Sequence, residues 1–90
     1  MSNVRVGVVV SGRVQGVYFR DTCRDRARAE RVVGWVRNRS DGTVEAEFEG
    51  SSEAVGAMVA WCHAGPPRAR VDGVVSEPRE PVGERTFRVL

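Results

Sequence analysis

The stretch VSGRVQGVYFRD, residues 10–21, lies where the spacing of apolar residues along the chain changes. Before it, residues 4–11 carry valine at every second position, which is typical of a β-strand. After it, Phe19, Cys23 and Ala27 recur at every fourth position and predict one face of a helix. The stretch therefore connects a strand to a helix, and it does so with two glycines and two arginines, which a simple turn does not need.

The rest of the chain supplies the other elements of the fold. They are strands at 32–39, 43–50 and 69–77, a helix within 51–65 and a short last strand at 86–90. The order βαββαβ with a short extra C-terminal strand predicts the α+β fold class, with a mainly antiparallel sheet and both helices on one face. Ninety residues are enough for one hydrophobic core, so we expect residues 1–90 to form a single domain.

This arrangement brings the loop after the first strand close to the end of the second strand. In a split βαβ unit, the two strands joined by the first helix run parallel and have another strand between them. Parallel strands end at the same edge of the sheet, so the loop that follows Ser11 and the region around Asn38 are expected to be neighbours.

The glycines and Arg20 of the opening stretch are suited to the binding of an anion. Gly12 and Gly16 allow the backbone to turn so that successive N–H groups point into one concavity. The helix that begins near Phe19 adds its free N–H groups and the positive end of its dipole. Arg20 in the first helical turn is unfavourable for that dipole unless an anion completes the site, and its guanidinium suits phosphate oxygens.

The same residues also fit a simpler interpretation. Two glycines four residues apart after a strand are compatible with a plain loop, and Asn38 at the end of a strand is compatible with a turn or bulge. The stretch is neither a Walker loop nor a GxGxxG dinucleotide motif, because the required glycine spacing is missing. In the functional alternative, the uncharged amide of Asn38 holds a water molecule by donating and accepting at once.

Composition argues against several classes of function. The chain has 14 basic and 12 acidic residues, and a net charge of +2 is too small to predict binding to nucleic acid. No apolar run approaches the roughly 20 residues that cross a bilayer, so we expect a cytoplasmic protein without membrane association. Cys23 and Cys62 lack the spacing of a metal site and are expected to be buried, unpaired residues in a reducing compartment.

Other chemically capable side chains lack partners of the right kind. His63 is the only histidine and has no recognisable serine or cysteine partner, so a catalytic triad is not expected. The alternating glutamates of residues 45–49 are expected to form a solvated face of the sheet. Trp35 and Trp61 are expected to lie in the core or at its edge.

Two segments, GRVQGVYFR at 12–20 and VVGWVRNRSDGTVEAEFEG at 32–50, resemble both signature segments of the acylphosphatase family. GPPRARV at 65–71 and FRV at 87–89 also resemble its bacterial members, so the match covers nearly the whole chain in the right order. The resemblance implies a ferredoxin-like α/β sandwich. It also implies metal-independent hydrolysis of the carboxyl–phosphate bond of acyl phosphates to a carboxylate and inorganic phosphate, with no cofactor, no metal and no phosphoenzyme.

The resemblance further assigns roles to residues of this chain. The family's phosphate-binding arginine falls on Arg20, and its water-orienting asparagine falls on Asn38. The expected partners are an acyl phosphate as small-molecule substrate and inorganic phosphate as product and competitor, with no nucleic acid and no membrane, and a monomer is the default at this size. The family's cradle of backbone amides for phosphate falls on Val14, Gln15, Gly16, Val17 and Tyr18.

The chain departs from the family pattern at the end of its first helix. The family usually has an apolar residue and glycine there, whereas this chain has Glu30 and Arg31. The departure concerns the cap of the helix and not the residues of the expected site.

Two other functions fit a sheet of this architecture, namely an RNA-binding module and a phosphate-binding or regulatory domain without catalysis. RNA-binding sheets stack bases on exposed aromatic side chains. The outward face of the third strand has three glutamates and no aromatic residue, and its negative charge would repel a phosphate backbone. These residues argue against RNA binding, while the site itself must decide between catalysis and binding alone.

Overall fold

The computed structural model describes residues 3–90, which form five strands and two helices in the order β-α-β-β-α-β-β. This order confirms the predicted βαββαβ arrangement with a short extra strand. No helix in that part of the chain is long and apolar enough to cross a membrane. The strands are β1 (Val4–Arg13), β2 (Val33–Asn38), β3 (Val44–Gly50), β4 (Arg70–Arg79) and β5 (Phe87–Val89), and the helices are α1 (Phe19–Ala29) and α2 (Ser52–Cys62).

The strands form one open sheet in the order β4-β1-β3-β2-β5. β3 pairs antiparallel with both β1 and β2, so β1 and β2 run parallel to each other with β3 between them. β4 pairs antiparallel with β1 at one edge, and β5 pairs parallel with β2 at the other. The sheet is therefore mainly antiparallel, as the order of the elements predicts.

Both helices pack on one face of this sheet, where alternate strand residues are apolar. The strand register places Val8, Ala46 and Val36 side by side, and each is almost fully buried. α1 packs on β2 and β5, and α2 packs on β1, β3 and β4. Burial of each large apolar side chain contributes roughly 1.5–3 kcal/mol, so this layer is the main source of stability. The helices contribute Phe19, Cys23, Ala27, Val55, Met58 and Cys62 to it.

The two cysteines lie in this core as free, buried thiols, which confirms the prediction made for them. Burial raises the pKa of Cys23 well above its usual value and that of Cys62 to about 12. Because the thiolate is the nucleophilic form, neither cysteine is suited to catalysis. Within residues 3–90, no group of three or more His, Cys, Asp or Glu side chains is placed to hold a metal ion.

The two tryptophans lie on opposite sides of the sheet. Trp61 packs against the core, with its ring centroid 5.1 Å from that of Phe19, as predicted. Trp35 is paired in register with Glu47 on the face that carries no helix, and the guanidinium of Arg37 lies 5.5 Å from its ring centroid. The prediction was therefore wrong for Trp35, because period-two alternation places its side chain on the face opposite to that of Val36.

The glutamates of β3 do not form the fully solvated face predicted for them. Glu49 is 2% exposed, and its carboxylate accepts hydrogen bonds from Arg5 at 2.9 Å and from the N–H groups of Val82 and Gly83 at 2.8 and 2.9 Å. Arg5 also donates to Glu47 at 2.7 Å. Burial opposes ionisation of Glu49, but these donors outweigh it, so the pKa of Glu49 is lowered. The connection between β4 and β5 thus covers a charge that the alternating pattern assigned to solvent.

The end of α1 is properly capped although it lacks glycine. Arg31 adopts φ of 60°, in the left-handed region. The N–H of Val32 donates to the carbonyl of Ala27 at 2.8 Å, and the N–H of Arg31 donates to the carbonyl of Arg28 at 3.2 Å. These are the two hydrogen bonds of a Schellman motif. The departure from the family pattern therefore preserves the cap but leaves a non-glycine residue in a strained conformation.

Replacing Arg31 with glycine is expected to stabilise the protein. Glycine removes a steric cost of roughly 1–2 kcal/mol, which is partly offset by its larger conformational entropy in the unfolded chain. We expect a net gain of about 0.5–1 kcal/mol, or roughly 2–8 °C in Tm, measured by thermal unfolding. Arg26→Gly, at an exposed position inside α1, is the matched control and should cost about 1 kcal/mol. A lower Tm for Arg31→Gly would show that the arginine makes contacts that outweigh its strain.

Candidate active site

A pocket of about 390 Å³ lies at the edge of the sheet where β1 and β2 both end. It brings together the residues after β1, the first turn of α1 and the last residue of β2. The predicted proximity of the loop after β1 to Asn38 is therefore confirmed. The pocket is lined by Val14, Gly16, Tyr18, Phe19, Arg20, Asp21 and Asn38.

Residues 14–18, which we call the cradle loop, connect β1 to α1. The side chains of Val14 and Val17 are buried in the core, at 1% and 3% exposure, and anchor the loop. Between them, Gly16 has φ of 72°, and no atom beyond its two chain neighbours lies within 4 Å of the position of a Cβ, so the backbone conformation is what favours glycine. Tyr18 also adopts a left-handed conformation, with φ of 65°, immediately before α1 begins. Such strain in a non-glycine residue is typical of functional sites.

Most backbone N–H groups of the cradle loop have no hydrogen-bond partner in the described part of the chain. Those of Gln15, Gly16, Val17 and Tyr18 donate no hydrogen bond to another group within residues 3–90. The first N–H groups of α1 add to them, because Tyr18 at the N-cap position makes no side-chain hydrogen bond to the helix. Amides grouped at a helix N-terminus in this way are suited to an anion.

Gly12 does not belong to the cradle loop, and the prediction that placed both glycines in one turn was wrong on this point. β1 continues to Arg13, and its register against β4 shifts between Ser11 and Gly12. Gly12 has φ of 121°, and a Cβ there would lie 2.2 Å from the carbonyl oxygen of Arg70. Glycine is needed at this β-bulge because the backbones of β1 and β4 approach closely.

Arg20, the second residue of α1, brings a positive charge to the wall of the pocket. Its Nη1 donates to the carbonyl oxygen of Leu90 at 3.3 Å, and the N–H of Leu90 donates to the carbonyl of Val36 at 2.9 Å. The guanidinium is thus steadied by the residue that follows β5. Among residues 3–90, no Asp or Glu side chain forms an ion pair with Arg20. An uncompensated charge beside a cluster of free N–H groups attracts anions.

Asn38, the last residue of β2, lines the same pocket. It comes from a different strand than the one that leads into the cradle loop. Its Oδ1 is buried and has no hydrogen-bond partner among the described residues. Leaving such an atom without a partner costs about 1–3 kcal/mol. The atom is therefore suited to accept a hydrogen bond from a water molecule or a ligand in the pocket.

Gln15 and Val17 do not line the pocket, although the resemblance places their backbone in the phosphate cradle. The side chain of Gln15 reaches the β2–β3 turn, where Nε2 donates to the carbonyl oxygens of Arg39 at 2.7 Å and Thr43 at 3.0 Å. Arg39 follows Asn38 directly, so this amide ties the cradle loop to the segment that carries Asn38. Sequence inspection missed this contact because its partners are distant along the chain.

Phe19 and Asp21 complete the lining and were not predicted as site residues. The side chain of Phe19 is buried against Trp61, so it anchors the first turn of α1 beside the pocket. Asp21 is exposed and brings a carboxylate to the pocket. The sequence feature that identifies Asp21 as a lining residue is its position directly after Arg20 in the first helical turn.

Comparison with known proteins identifies the family. The acylphosphatase family model matches residues 6–89. The acylphosphatase of Anaeromyxobacter dehalogenans is 62% identical over 81 residues, which cover 90% of this chain and 87% of that protein. The chain belongs to the acylphosphatase family.

Other acylphosphatases agree in sequence and in fold. The acylphosphatase of Rubrobacter xylanophilus is 60% identical over 87 residues, covering 94% of this chain and 78% of that protein. The solved structure of an acylphosphatase from Coxiella burnetii matches with a TM-score of 0.94 at 36% identity, covering 98% of this chain and 93% of that chain. These matches confirm the family, the hydrolase class and the ferredoxin-like fold implied by the motifs. Hydrolysis of acyl phosphates is the activity of the acylphosphatase family.

The contact of Gln15 with the β2–β3 turn is expected to keep the cradle loop and Asn38 at the separation that catalysis requires. Gln15→Ala removes both hydrogen bonds and should lower kcat for benzoyl phosphate about tenfold or more, since small displacements in a site are costly. Gln15→Glu places a carboxylate against two carbonyl oxygens, which should raise the pKa of that carboxyl and disfavour its charged form.

The two variants are distinguished by their pH profiles. The Glu variant should resemble the Ala variant at alkaline pH and recover activity on acidification, because a protonated carboxyl donates one hydrogen bond to the turn. The measurement is kcat and KM against pH for the wild type and both variants. Parallel profiles for Gln15→Ala and Gln15→Glu, or wild-type kcat in either, would contradict the positioning role.

Proposed function

We propose that the pocket between the cradle loop and Asn38 is the active site, where this member of the acylphosphatase family hydrolyses acyl phosphates to a carboxylate and inorganic phosphate. One observation carries the proposal. An arginine that pairs with no Asp or Glu side chain in the described chain, backbone N–H groups without a partner there and the unpartnered Oδ1 of Asn38 meet in one pocket. The first two can bind an anion and the third can hold a water molecule, and hydrolysis of an acyl phosphate needs both.

The cradle loop and Arg20 bind the phosphoryl group in this proposal. The N–H groups of residues 14–18 and the guanidinium donate to the phosphoryl oxygens. Phosphoryl transfer passes through a loose transition state, in which negative charge is spread over three equatorial oxygens. Donors that are already fixed around these oxygens stabilise that charge without reorganisation, so they supply the main part of the catalysis.

Asn38 positions the attacking water. Its Oδ1 accepts a hydrogen bond from the water, whose oxygen attacks phosphorus while the bond between phosphorus and the acyl oxygen breaks. The electron pair of that bond leaves with the carboxylate, and the proton lost by the water passes to solvent. Because a carboxylate is a good leaving group, the step needs neither a general acid nor a strong base. Positioning and fixed donors are sufficient, and no metal or cofactor is assigned a part.

Several finer features belong to the same proposal. Residues 1–90 act as one domain, which is supported by the one hydrophobic core that the strands and helices share, and as a monomer, which is the default at this size. Inorganic phosphate occupies the cradle loop as product and competes with substrate. A cytoplasmic location is supported by the free thiols of Cys23 and Cys62, which suit a reducing compartment.

Alanine variants of Arg20 and Asn38 are expected to fail in different ways. Arg20→Ala should lose both turnover and affinity for inorganic phosphate, because the same donors serve the ground state and the transition state. Asn38→Ala should lose about 3–4 kcal/mol of transition-state stabilisation, or 10²–10³ in kcat, with nearly unchanged phosphate inhibition. Arg20→Lys should remain severely impaired, since a point charge cannot replace the fork of donors.

The measurements are kcat for benzoyl phosphate in the presence of EDTA, the inhibition constant of phosphate, and Tm. Asp41→Ala is the matched control for disturbance of the β2–β3 turn, because Asp41 accepts hydrogen bonds from Thr43 there and does not line the pocket. Its kcat should fall far less than that of Asn38→Ala, because the side chain of Asn38 stays in place. A folded Asn38→Ala protein with near-normal kcat would refute the role of Asn38. Loss of wild-type turnover in EDTA would contradict the metal-independent mechanism.

A further inference from the structure

Asp21 brings the one carboxylate among the residues that line the pocket within the described part of the chain. It lies in the first turn of α1, directly after Arg20, and its side chain is 62% exposed. Its ion-pair partner is Arg24, whose Nη1 lies 3.7 Å from Oδ1 on the exposed surface of the helix. A carboxylate cannot donate a hydrogen bond to phosphoryl oxygens, so Asp21 has no part in the reaction described above.

The acyl group of a bound substrate must occupy the part of the pocket that the phosphoryl group does not. With phosphate held by Arg20 and the N–H groups of the cradle loop, the lining residues whose side chains are exposed are Tyr18 and Asp21. Tyr18 is 65% exposed and presents an uncharged ring. Of these two, Asp21 is the one whose side chain carries a charge.

We propose that Asp21 selects substrates by the charge of their acyl group. The favoured class is acyl phosphates whose acyl group is uncharged, and the disfavoured class is acyl phosphates whose acyl group carries a second anion, such as a carboxylate or a phosphate. This inference rests on the proposed function. It adds to that function a specificity determinant, which acts on the acyl group and not on the phosphoryl group.

The expected size of the effect follows from the exposure of Asp21. A charge in contact with solvent is screened by water and salt, and Arg24 offsets part of it. We therefore expect discrimination of about three- to tenfold in kcat/KM. Repulsion of the phosphoryl group by Asp21 is common to all acyl phosphates, so it cancels when two substrates of equal length are compared.

Butyryl phosphate and succinyl phosphate form the matched pair of substrates, because their acyl chains have equal length and only the latter ends in a carboxylate. The measurement is the ratio of kcat/KM for butyryl over succinyl phosphate. Asp25→Asn is the matched control for Asp21→Asn. Asp25 lies on the same helix with its side chain 71% exposed, pairs with the same Arg24 at 3.3 Å and does not line the pocket. Both substitutions remove one negative charge and one partner of Arg24.

Asp21→Asn should lower the wild-type ratio by about three- to tenfold, and high salt should lower it in the wild type. Asp21→Lys should reverse the preference in favour of succinyl phosphate, whereas Asp25→Asn should leave the ratio unchanged. A wild-type ratio near one, or equal shifts for the two asparagine variants, would overturn the inference while leaving the proposed function intact. Failure of the wild type to hydrolyse butyryl phosphate would overturn the proposed function, and the inference with it.

Discussion

The pocket depends on one topological constraint, namely that β1 and β2 run parallel with β3 between them. Two strands in this relation end at the same edge of the sheet, so the loop after one and the last residue of the other are neighbours. The side chain of Gln15 then fixes their separation by donating to the carbonyl oxygens of Arg39 and Thr43. The two halves of the pocket provide different groups. The cradle loop provides hydrogen-bond donors, and Asn38 provides a buried acceptor.

Buried charged side chains have partners on the helix-free face of the sheet, whereas some polar groups at the pocket do not. On that face Arg5 is 4% exposed and is paired with both Glu47 and Glu49, and Glu49 also accepts two backbone hydrogen bonds. At the pocket, Arg20 pairs with no Asp or Glu side chain of residues 3–90, and Oδ1 of Asn38 is the buried side-chain polar atom left without a partner in that range. Unsatisfied groups cost stability, so their concentration in one pocket points to a ligand that satisfies them.

Much of this fold is predictable from the sequence because alternation and helical spacing are local signals. They give the element order, the parallel relation of β1 and β2, and the nearness of Asn38 to the cradle loop. The features that these local signals do not predict depend on residues that are distant along the chain. Gly12 is needed because of a close approach to Arg70, and Glu49 is buried because the connection after β4 covers it. The roles proposed for Arg20 and Asn38 rest on resemblance to a family, since an isolated glycine-containing loop and a strand-end asparagine are both common in plain turns.

The central claim is that the cradle loop binds the phosphoryl group through its backbone N–H groups together with Arg20. Titration of ¹⁵N-labelled protein with inorganic phosphate, followed by amide chemical shifts, tests it most directly. We expect saturable shifts that are largest for the amides from Gln15 to Arg20 and that disappear in Arg20→Ala. Shifts centred on another part of the molecule, such as the N-terminus of α2, or no response of the cradle loop at saturating phosphate, would contradict it.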